Sequence, residues 1–129
     1  RVEPWAAPLA AERMTDEEMP ELQARCEEVT RIIRSGEDHG AADKAFHAYI
    51  AQCTHNSVIT EIMPVITYSI EMYTHFRSKR LLEDTIRTHT QITEAICARD
   101  PQKAYDAMYK HVAQNQDGID MAKQAVVEN

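Results

Sequence analysis

The chain has 129 residues and a mass of 14.7 kDa, a size typical of one compact domain. Its 14 Lys and Arg residues stand against 21 Asp and Glu residues, so a net charge of −7 argues against direct binding of nucleic acid by this chain. The mean hydropathy is −0.51, and no apolar run approaches the roughly 20 residues of a membrane span. The start does not resemble a signal peptide, and three widely spaced cysteines do not suggest a disulfide framework. We therefore expect a cytoplasmic protein.

The apolar spacing is helical from the start of the chain. A first helix is predicted over residues 2–14, with Pro4 tolerated in its opening turn. Thr15 and Glu18 have the spacing of a capping box, which predicts the start of a second helix. A polar loop over residues 35–40 follows that helix. The apolar stripe of the second helix consists of Met19, Leu22, Cys26, Val29 and Ile33.

The second half of the chain is also helical. A third helix is predicted over residues 41–53, and Asn56 is a good N-cap for a long fourth helix in which Pro64 predicts a bend. A fifth helix ends near Ala98, and Asp100 followed by Pro101 predicts the start of a sixth that frays near residues 124–129. The apolar residues of the fourth helix are Ile59, Ile62, Met63, Ile66, Ile70 and Tyr73. The pattern predicts a single all-α domain over residues 1–129, an antiparallel bundle of about six helices.

The six histidines fall into two groups. Solvent exposure is expected for three that lie in the polar loop or near helix ends: His39, His55 and His75. The other three lie inside predicted helices, on or beside the apolar face: His47, His89 and His111.

Asp43 precedes His47 by four residues, so both side chains project from one face of a helix, one turn apart. A carboxylate and neutral imidazoles that converge inside a bundle can hold a divalent metal ion, because coordination offsets their desolvation. One carboxylate and three imidazoles suit zinc first, and also nickel, manganese or cobalt. The alternative is that each histidine is a core or boundary residue and that Asp43 and His47 form a simple helix pair.

The sequence contains no recognised catalytic motif. No histidine has a glutamate three residues before it, and there is no Gly-rich phosphate loop, nucleophile elbow or cysteine cluster. We therefore expect a protein that is not an enzyme. A metal-dependent hydrolase or lyase is the alternative, because the same His and Asp residues can activate water. This alternative is disfavoured because the sequence offers no convincing inward-facing general base; Glu61 and Glu94 are the nearest candidates.

Four stretches of the sequence together resemble the FCD domain, the C-terminal ligand-sensing domain of FadR-type regulators of the GntR superfamily. They are Glu3-Pro4-Trp-Ala-Ala-Pro-Leu9-Ala-Ala-Glu-Arg13-Met-Thr15, then Asp43-Lys-Ala-Phe46-His47 followed by Asn56, then His89-Thr-Gln-Ile-Thr-Glu-Ala95-Ile96-Cys-Ala-Arg-Asp100, and finally Ala104-Tyr-Asp-Ala-Met108-Tyr-Lys-His111. The resemblance spans essentially the whole chain. Its most specific parts are the Asp-x-x-x-His pair and the two later histidines.

The resemblance implies a ligand set and a set of partners. The four residues that correspond to the metal ligands of the metal-containing FCD branch are Asp43, His47, His89 and His111. The acyl-CoA-sensing branch lacks this set. The resemblance also implies a homodimer, and a winged helix-turn-helix domain that would precede this domain and is absent from this chain. Thr88 departs from the family pattern, in which an acidic residue often precedes the third ligand.

Three further residues are candidates for effector binding. Asn56 matches a polar position of the family, and Arg77 and Arg80 lie in a basic junction between the fourth and fifth helices. The ordinary interpretation of such a junction is a solvated surface; the functional one is a rim that faces a carboxylate.

The leading hypothesis is the ligand-sensing domain of a bacterial transcription regulator of the GntR family, FadR subfamily. A divalent metal in the bundle core and a small carboxylate effector (a sugar acid, hydroxy acid or dicarboxylate) would change DNA binding by the full-length protein. Besides the hydrolase or lyase, a purely structural dimerisation module with core histidines is the remaining alternative.

Overall fold

The structure is a computed structural model that describes residues 2–71 and 79–128. It consists of six α-helices: α1 (Val2–Arg13), α2 (Met19–Ser35), α3 (Gly40–Cys53), α4 (Ser57–Glu71), α5 (Lys79–Cys97) and α6 (Pro101–Glu128). A single 3-10 turn over Asp16–Glu18 precedes α2, and neither described stretch contains a strand. This confirms the predicted all-α bundle. Within these stretches, no helix combines the length and the apolar character that a membrane crossing requires.

The helices surround one apolar core. α1 packs on α3, α5 and α6, and α5 contacts α2 as well as its hairpin partner α6. The face of α1 that meets the core is made of small residues, each without exposed surface, which lets the neighbouring backbones approach closely: Ala6, Ala7, Ala10 and Ala11. The largest buried apolar side chains are Phe46, Leu22, Ile50, Met63, Ile92, Ile96 and Met108. These side chains come from α2, α3, α4, α5 and α6 and belong to one core cluster.

The side chains that the sequence indicated as caps form hydrogen bonds to backbone amides at the helix starts. Glu18 Oε1 accepts the amide hydrogen of Thr15 at 2.8 Å, the half of the capping box that points back along the chain. Asn56 Oδ1 accepts from the amide of Val58 at 3.0 Å and caps α4. In the same way, Asp100 Oδ1 accepts a hydrogen bond from the amide of Lys103 in the first turn of α6, at 3.0 Å.

Two boundaries differ from the sequence-based expectation. α2 begins at Met19, because the residues that follow Thr15 within the capping box form the 3-10 turn first. α6 continues to Glu128 instead of fraying near residue 124, since this segment is rich in helix formers and has no proline.

Gly36 ends α2 in the left-handed region with φ of 82°, where its amide donates to the carbonyl of Ile33 at 3.1 Å.

The predicted exposure of His39 is wrong. His39 is buried, with 4% of its surface exposed, because it directly precedes α3 and its carbonyl accepts the amide of Asp43 at 2.8 Å. His55 is exposed as predicted. His75 and Tyr73 lie outside the described residues, and so do the side chains of Ile66 and Ile70.

The apolar faces are confirmed in part. Four members of the α2 stripe, from Leu22 to Ile33, are buried, and Met19 is partly buried. On α4, Met63 is buried and Ile59 half-buried, whereas Ile62 is exposed.

Candidate metal centre

One carboxylate and three imidazoles meet in the middle of the bundle. α3 carries Asp43 and His47 one turn apart, α5 carries His89, and α6 carries His111. One ligand atom from each lies within 4.8 Å of the others, and all four residues are buried. The helical spacing on α3 and the crossing of α5 and α6 therefore bring together the residues that the sequence analysis selected.

Three of the separations between these atoms are those of ligands that share one ion. Asp43 Oδ1 lies 3.0 Å from His89 Nε2 and 3.4 Å from His47 Nε2, and the Nε2 atoms of His89 and His111 are 3.2 Å apart. Four ligands at about 2.0–2.2 Å from a central zinc ion are separated by about 3–3.5 Å from one another. All three imidazoles thus turn Nε2 to a common point.

The carboxylate of Asp43 supplies a test of whether these residues fit a metal ion. Its Oδ1 is buried and makes no hydrogen bond with any described group, although two imidazole nitrogens lie within 3.4 Å. An ion at the common point would satisfy that oxygen, so the donor set fits a divalent metal.

The charges at the centre favour the ionised carboxylate. Burial alone would raise the pKa of Asp43, but His47 and His89 favour the charged form and hold that pKa well below its usual range.

Aromatic rings close the cluster from the apolar side. Phe46 has no exposed surface, and its ring centroid lies 4.6 Å from that of His89 and 5.3 Å from that of His47. The rings of His47 and His111 stack at 5.1 Å. These contacts fix the planes of the imidazoles and exclude water from their apolar edges.

Two polar residues that the sequence analysis did not assign to the site hold His111. Thr88 Oγ1 lies 2.8 Å from His111 Nδ1, and Asn115 Nδ2 lies 3.2 Å from His111 Nε2. Both are buried. The sequence analysis noticed Thr88 only as a departure before His89, and it missed Asn115 altogether. The available signal was the spacing of four residues between His111 and Asn115, which places both on one face of α6.

The candidate effector residues are not part of this cluster. The side chain of Asn56 caps α4. Arg80 is exposed at the start of α5, nine residues before His89 and so about 13 Å away along the helix. Arg77 lies outside the described residues. Glu61 and Glu94, the candidate bases of the hydrolase alternative, are both exposed.

The cysteines behave as core residues. Cys26 and Cys53 are buried and Cys97 half-buried, and all three are free thiols. Burial raises the pKa of all three thiols, that of Cys53 to about 12, so they are protonated and poorly nucleophilic at neutral pH. Cys26 and Cys97 line an open groove of about 760 Å³ between α2 and α5, which contains none of the four cluster residues.

The fold and the cluster together define an all-α domain with a buried His/Asp cluster. Comparison with known proteins gives the family: the chain matches the FCD domain over residues 1–114. The chain therefore belongs to the FCD domain family, and the four cluster residues all lie within the matched region.

Similar proteins are transcription regulators. An HTH-type transcriptional regulator of Bacillus subtilis (strain 168), YcbG, is 33% identical over 108 residues, which cover 81% of this chain and 44% of that protein. Streptococcus agalactiae GntR is similar in structure, with a TM-score of 0.79 and 27% identity over 89% of this chain and 53% of that one. E. coli McbR/YncC has a TM-score of 0.78 at 18% identity, over 97% of this chain and 60% of that one, and supports the fold alone. The chain spans about half the length of these proteins.

Proposed function

We propose that this chain is the effector-sensing domain of a GntR-family transcription regulator. In this proposal, Asp43, His47, His89 and His111 hold a divalent metal ion, and a small carboxylate effector binds at that ion. Zinc is the first candidate, and nickel, manganese and cobalt also suit the donor set.

The observation that carries the proposal is the convergence of four buried ligand atoms within 4.8 Å, donated by three different helices. One of these atoms, Asp43 Oδ1, is a buried oxygen with two imidazole nitrogens within 3.4 Å and no satisfied hydrogen bond within the described part of the chain. Burial of one carboxylate and three imidazoles carries a desolvation cost, and a shared cation would offset this cost for all four groups at once.

An ion held by four protein ligands can take a further ligand when its coordination number rises to five or six. A bound divalent ion supplies positive charge and further coordination positions that suit the oxygens of a carboxylate. Because the ligands come from α3, α5 and α6, a change at the centre acts on the packing of three helices. An effector that binds one arrangement of these helices better than another shifts their equilibrium by that difference in affinity.

The proposal extends to the longer protein that the relatives represent. There, a separate N-terminal winged helix-turn-helix domain binds operator DNA in the cytoplasm, and the protein acts as a homodimer. This chain's net charge of −7 agrees with a division in which another domain contacts DNA. Binding rather than turnover is favoured, because the cluster contains no glutamate and both candidate bases are exposed.

Thermal unfolding of the 129-residue chain tests this function. We expect the zinc-loaded chain to melt above the chelated chain, because a metal that binds only the folded state stabilises it. Citrate or another carboxylate that stabilises the loaded chain should have little effect on the chelated one. His111→Ala should behave as the chelated chain does, whereas His55→Ala, which changes an exposed histidine that contacts Glu18, should keep both responses. Equal stabilisation of loaded and chelated chains by the carboxylate would contradict binding at the ion.

A further inference from the structure

The groove between α2 and α5 has the size of a small-ligand cleft, with a volume of about 760 Å³. α2 contributes Glu27 to its lining and α5 contributes Glu94, and both side chains are exposed. None of the described residues that line the groove is Lys, Arg or His. The lining therefore carries negative charge without a cation of its own.

On α2, Glu27 is the acidic residue that lacks an ion pair. Glu21 pairs with Arg25 at 2.8 Å, and Glu28 pairs with Arg31 at 2.6 Å. No described cationic side chain pairs with Glu27.

α5 shows the same pattern. Glu83 pairs with Arg34 at 3.5 Å, and Asp84 pairs with Arg87. Glu94 is the third acidic residue of this helix, and it has no ion pair within the described part of the chain. In each helix, the acidic residue that lines the groove is thus the one whose charge is left uncompensated.

The two carboxylates lie near one buried thiol, that of Cys26. Burial raises the pKa of Cys26, and the negative charges of Glu27 and Glu94 raise it further. Because both charges act on the same thiol, their negative potentials add within the groove. A cation in the groove would be attracted by both.

Two hydroxyl groups of the groove are available as acceptors. Thr90 Oγ1 donates its one proton to the carbonyl of Ile86, and Thr93 Oγ1 donates its proton to the carbonyl of His89, each at 2.9 Å. A hydroxyl whose proton is used in this way offers lone pairs to a further neighbour. The glutamates and threonines of the groove therefore suit a ligand that carries N–H donors.

The arrangement favours an organic cation over a metal ion. Metal ions need several ligand atoms that converge on one point. Among the described residues, His, Cys, Asp and Glu side chains bring three or more such atoms within 4.8 Å of one another only in the cluster around Asp43, which is not part of the groove. A longer cation with donors at both ends does not need this convergence.

We propose that the groove between α2 and α5 binds a linear organic polyamine. Glu27 and Glu94 accept hydrogen bonds from its ammonium groups, and the hydroxyl of Thr90 adds a neutral acceptor. This site is separate from the metal centre, so the inference goes beyond the proposed function and needs neither a metal ion nor a carboxylate effector.

Calorimetric titration of the chelated chain with 1,4-diaminobutane tests the inference. At an ionic strength of about 0.15 M, charges more than about 8 Å apart are largely screened, so attraction to the net charge of −7 contributes little. The comparison ligand is the bis(trimethylammonium) form of the same diamine, which keeps both charges and the chain but has no N–H donor.

The variants are Glu27→Gln and Glu94→Gln, which keep the size of the side chain and remove its charge. Glu28→Gln is the matched control, because it removes the same charge from the neighbouring residue, which pairs with Arg31 and does not line the groove. All three glutamates are exposed, so we expect the variants to keep the fold.

We expect the diamine to bind the wild-type chain at one site. Each groove variant should weaken this binding about five-fold, the effect of one partly exposed charge pair, and Glu28→Gln should leave it unchanged. The bis(trimethylammonium) ligand should bind the wild-type chain about ten-fold more weakly than the diamine, because its charges cannot donate hydrogen bonds.

A wild-type chain that does not bind the diamine would overturn the inference. Equal weakening in Glu28→Gln would also overturn it, because the attraction would then come from the overall charge, and so would equal affinity for the two ligands. These results do not depend on zinc. Failure of the chain to bind zinc would overturn the proposed function and leave this inference as it stands.

Discussion

Thr88 Oγ1 lies 2.8 Å from Nδ1 of His111, although the two residues are 23 positions apart and belong to different helices. The hydroxyl of Thr88 has one proton, which it donates to the carbonyl of Asp84 at 2.9 Å. It therefore accepts from Nδ1–H, and this fixes the His111 tautomer whose Nε2 is free of a proton. The residue that departs from the family pattern before His89 thus orients His111 on the neighbouring helix.

We expect Thr88→Val to weaken zinc binding by about 10–100-fold, the usual effect of removing a hydrogen bond that orients a metal-bound histidine. Valine keeps the shape of threonine but cannot accept from Nδ1–H. Thr88→Ser restores the hydroxyl and should restore most of the affinity, as measured by chelator competition.

Thr90→Val is the control for this effect. Thr90 also donates to the carbonyl four residues earlier on α5, at 2.9 Å, but its side chain is exposed. If Thr88→Val and Thr90→Val change zinc affinity equally, Thr88 does not orient His111.

The role of Asn56 can be tested with variants, because capping of α4 and contact with the effector predict different effects on stability and on acetate binding. Asn56→Ala should lower the free energy of unfolding by about 1 kcal/mol, because the amides at the start of α4 lose their acceptor. Asn56→Asp keeps an acceptor and should restore stability in urea unfolding. If capping is the only role of Asn56, the acetate affinity of zinc-loaded Asn56→Asp should equal that of wild type. Weaker acetate binding would show that Asn56 faces the effector.

Much of the fold could be predicted because its signals are local. Thr15 with Glu18, and Asn56 before α4, are side chains that bond to amides two or three residues away, so their spacing in the sequence is sufficient. The metal-ligand candidates could be selected for a related reason: Asp43 and His47 share a helix face, and the other histidines lie on apolar faces that must turn inward.

The missed features depend on how the helices pack. The contact between Thr88 and His111 exists because α5 crosses α6 at that level, and no local pattern indicates it. His39 was expected in solvent because its neighbours are polar, but the turn into α3 folds it inward. The sequence alone does not show whether a polar residue inside a helix, such as Asn115, is buried. That depends on which helix packs against it.

Phe46 provides a test of the core beside the cluster. Phe46→Ala should lower the free energy of unfolding by about 3–5 kcal/mol, because it empties a fully buried site next to the His89 ring. Trp5→Ala is the control, since Trp5 is 62% exposed and contacts Tyr105 at a ring-centroid distance of 5.3 Å. We expect it to cost about 1 kcal/mol or less in urea unfolding. Equal costs would show that Phe46 is not a central core residue.

The pH dependence of stability has a contribution from Glu18. Burial tends to raise the pKa of this carboxyl, but the Thr15 amide and His55 Nε2, the latter at 2.8 Å, lower the pKa of Glu18 below its usual value. A carboxyl whose folded-state pKa is lowered stabilises the fold above its unfolded-state pKa, and the contribution disappears as pH falls through the folded-state value.

Glu18→Gln should therefore lower the free energy of unfolding at pH 6 by no more than about 1 kcal/mol. The melting temperature should fall slightly as a result. The melting curves of wild type and variant should converge as the pH falls toward about 3. A difference that is constant over this range would mean that the charge of Glu18 does not contribute.

The most direct test of the account is anomalous X-ray scattering from crystals of the zinc-loaded chain, recorded on both sides of the zinc absorption edge. The account predicts one strong anomalous peak in the bundle core, about 2.0–2.3 Å from an oxygen of Asp43 and from Nε2 of the three histidines that converge on it. A core without a peak, with the four side chains hydrogen-bonded to one another, would contradict it.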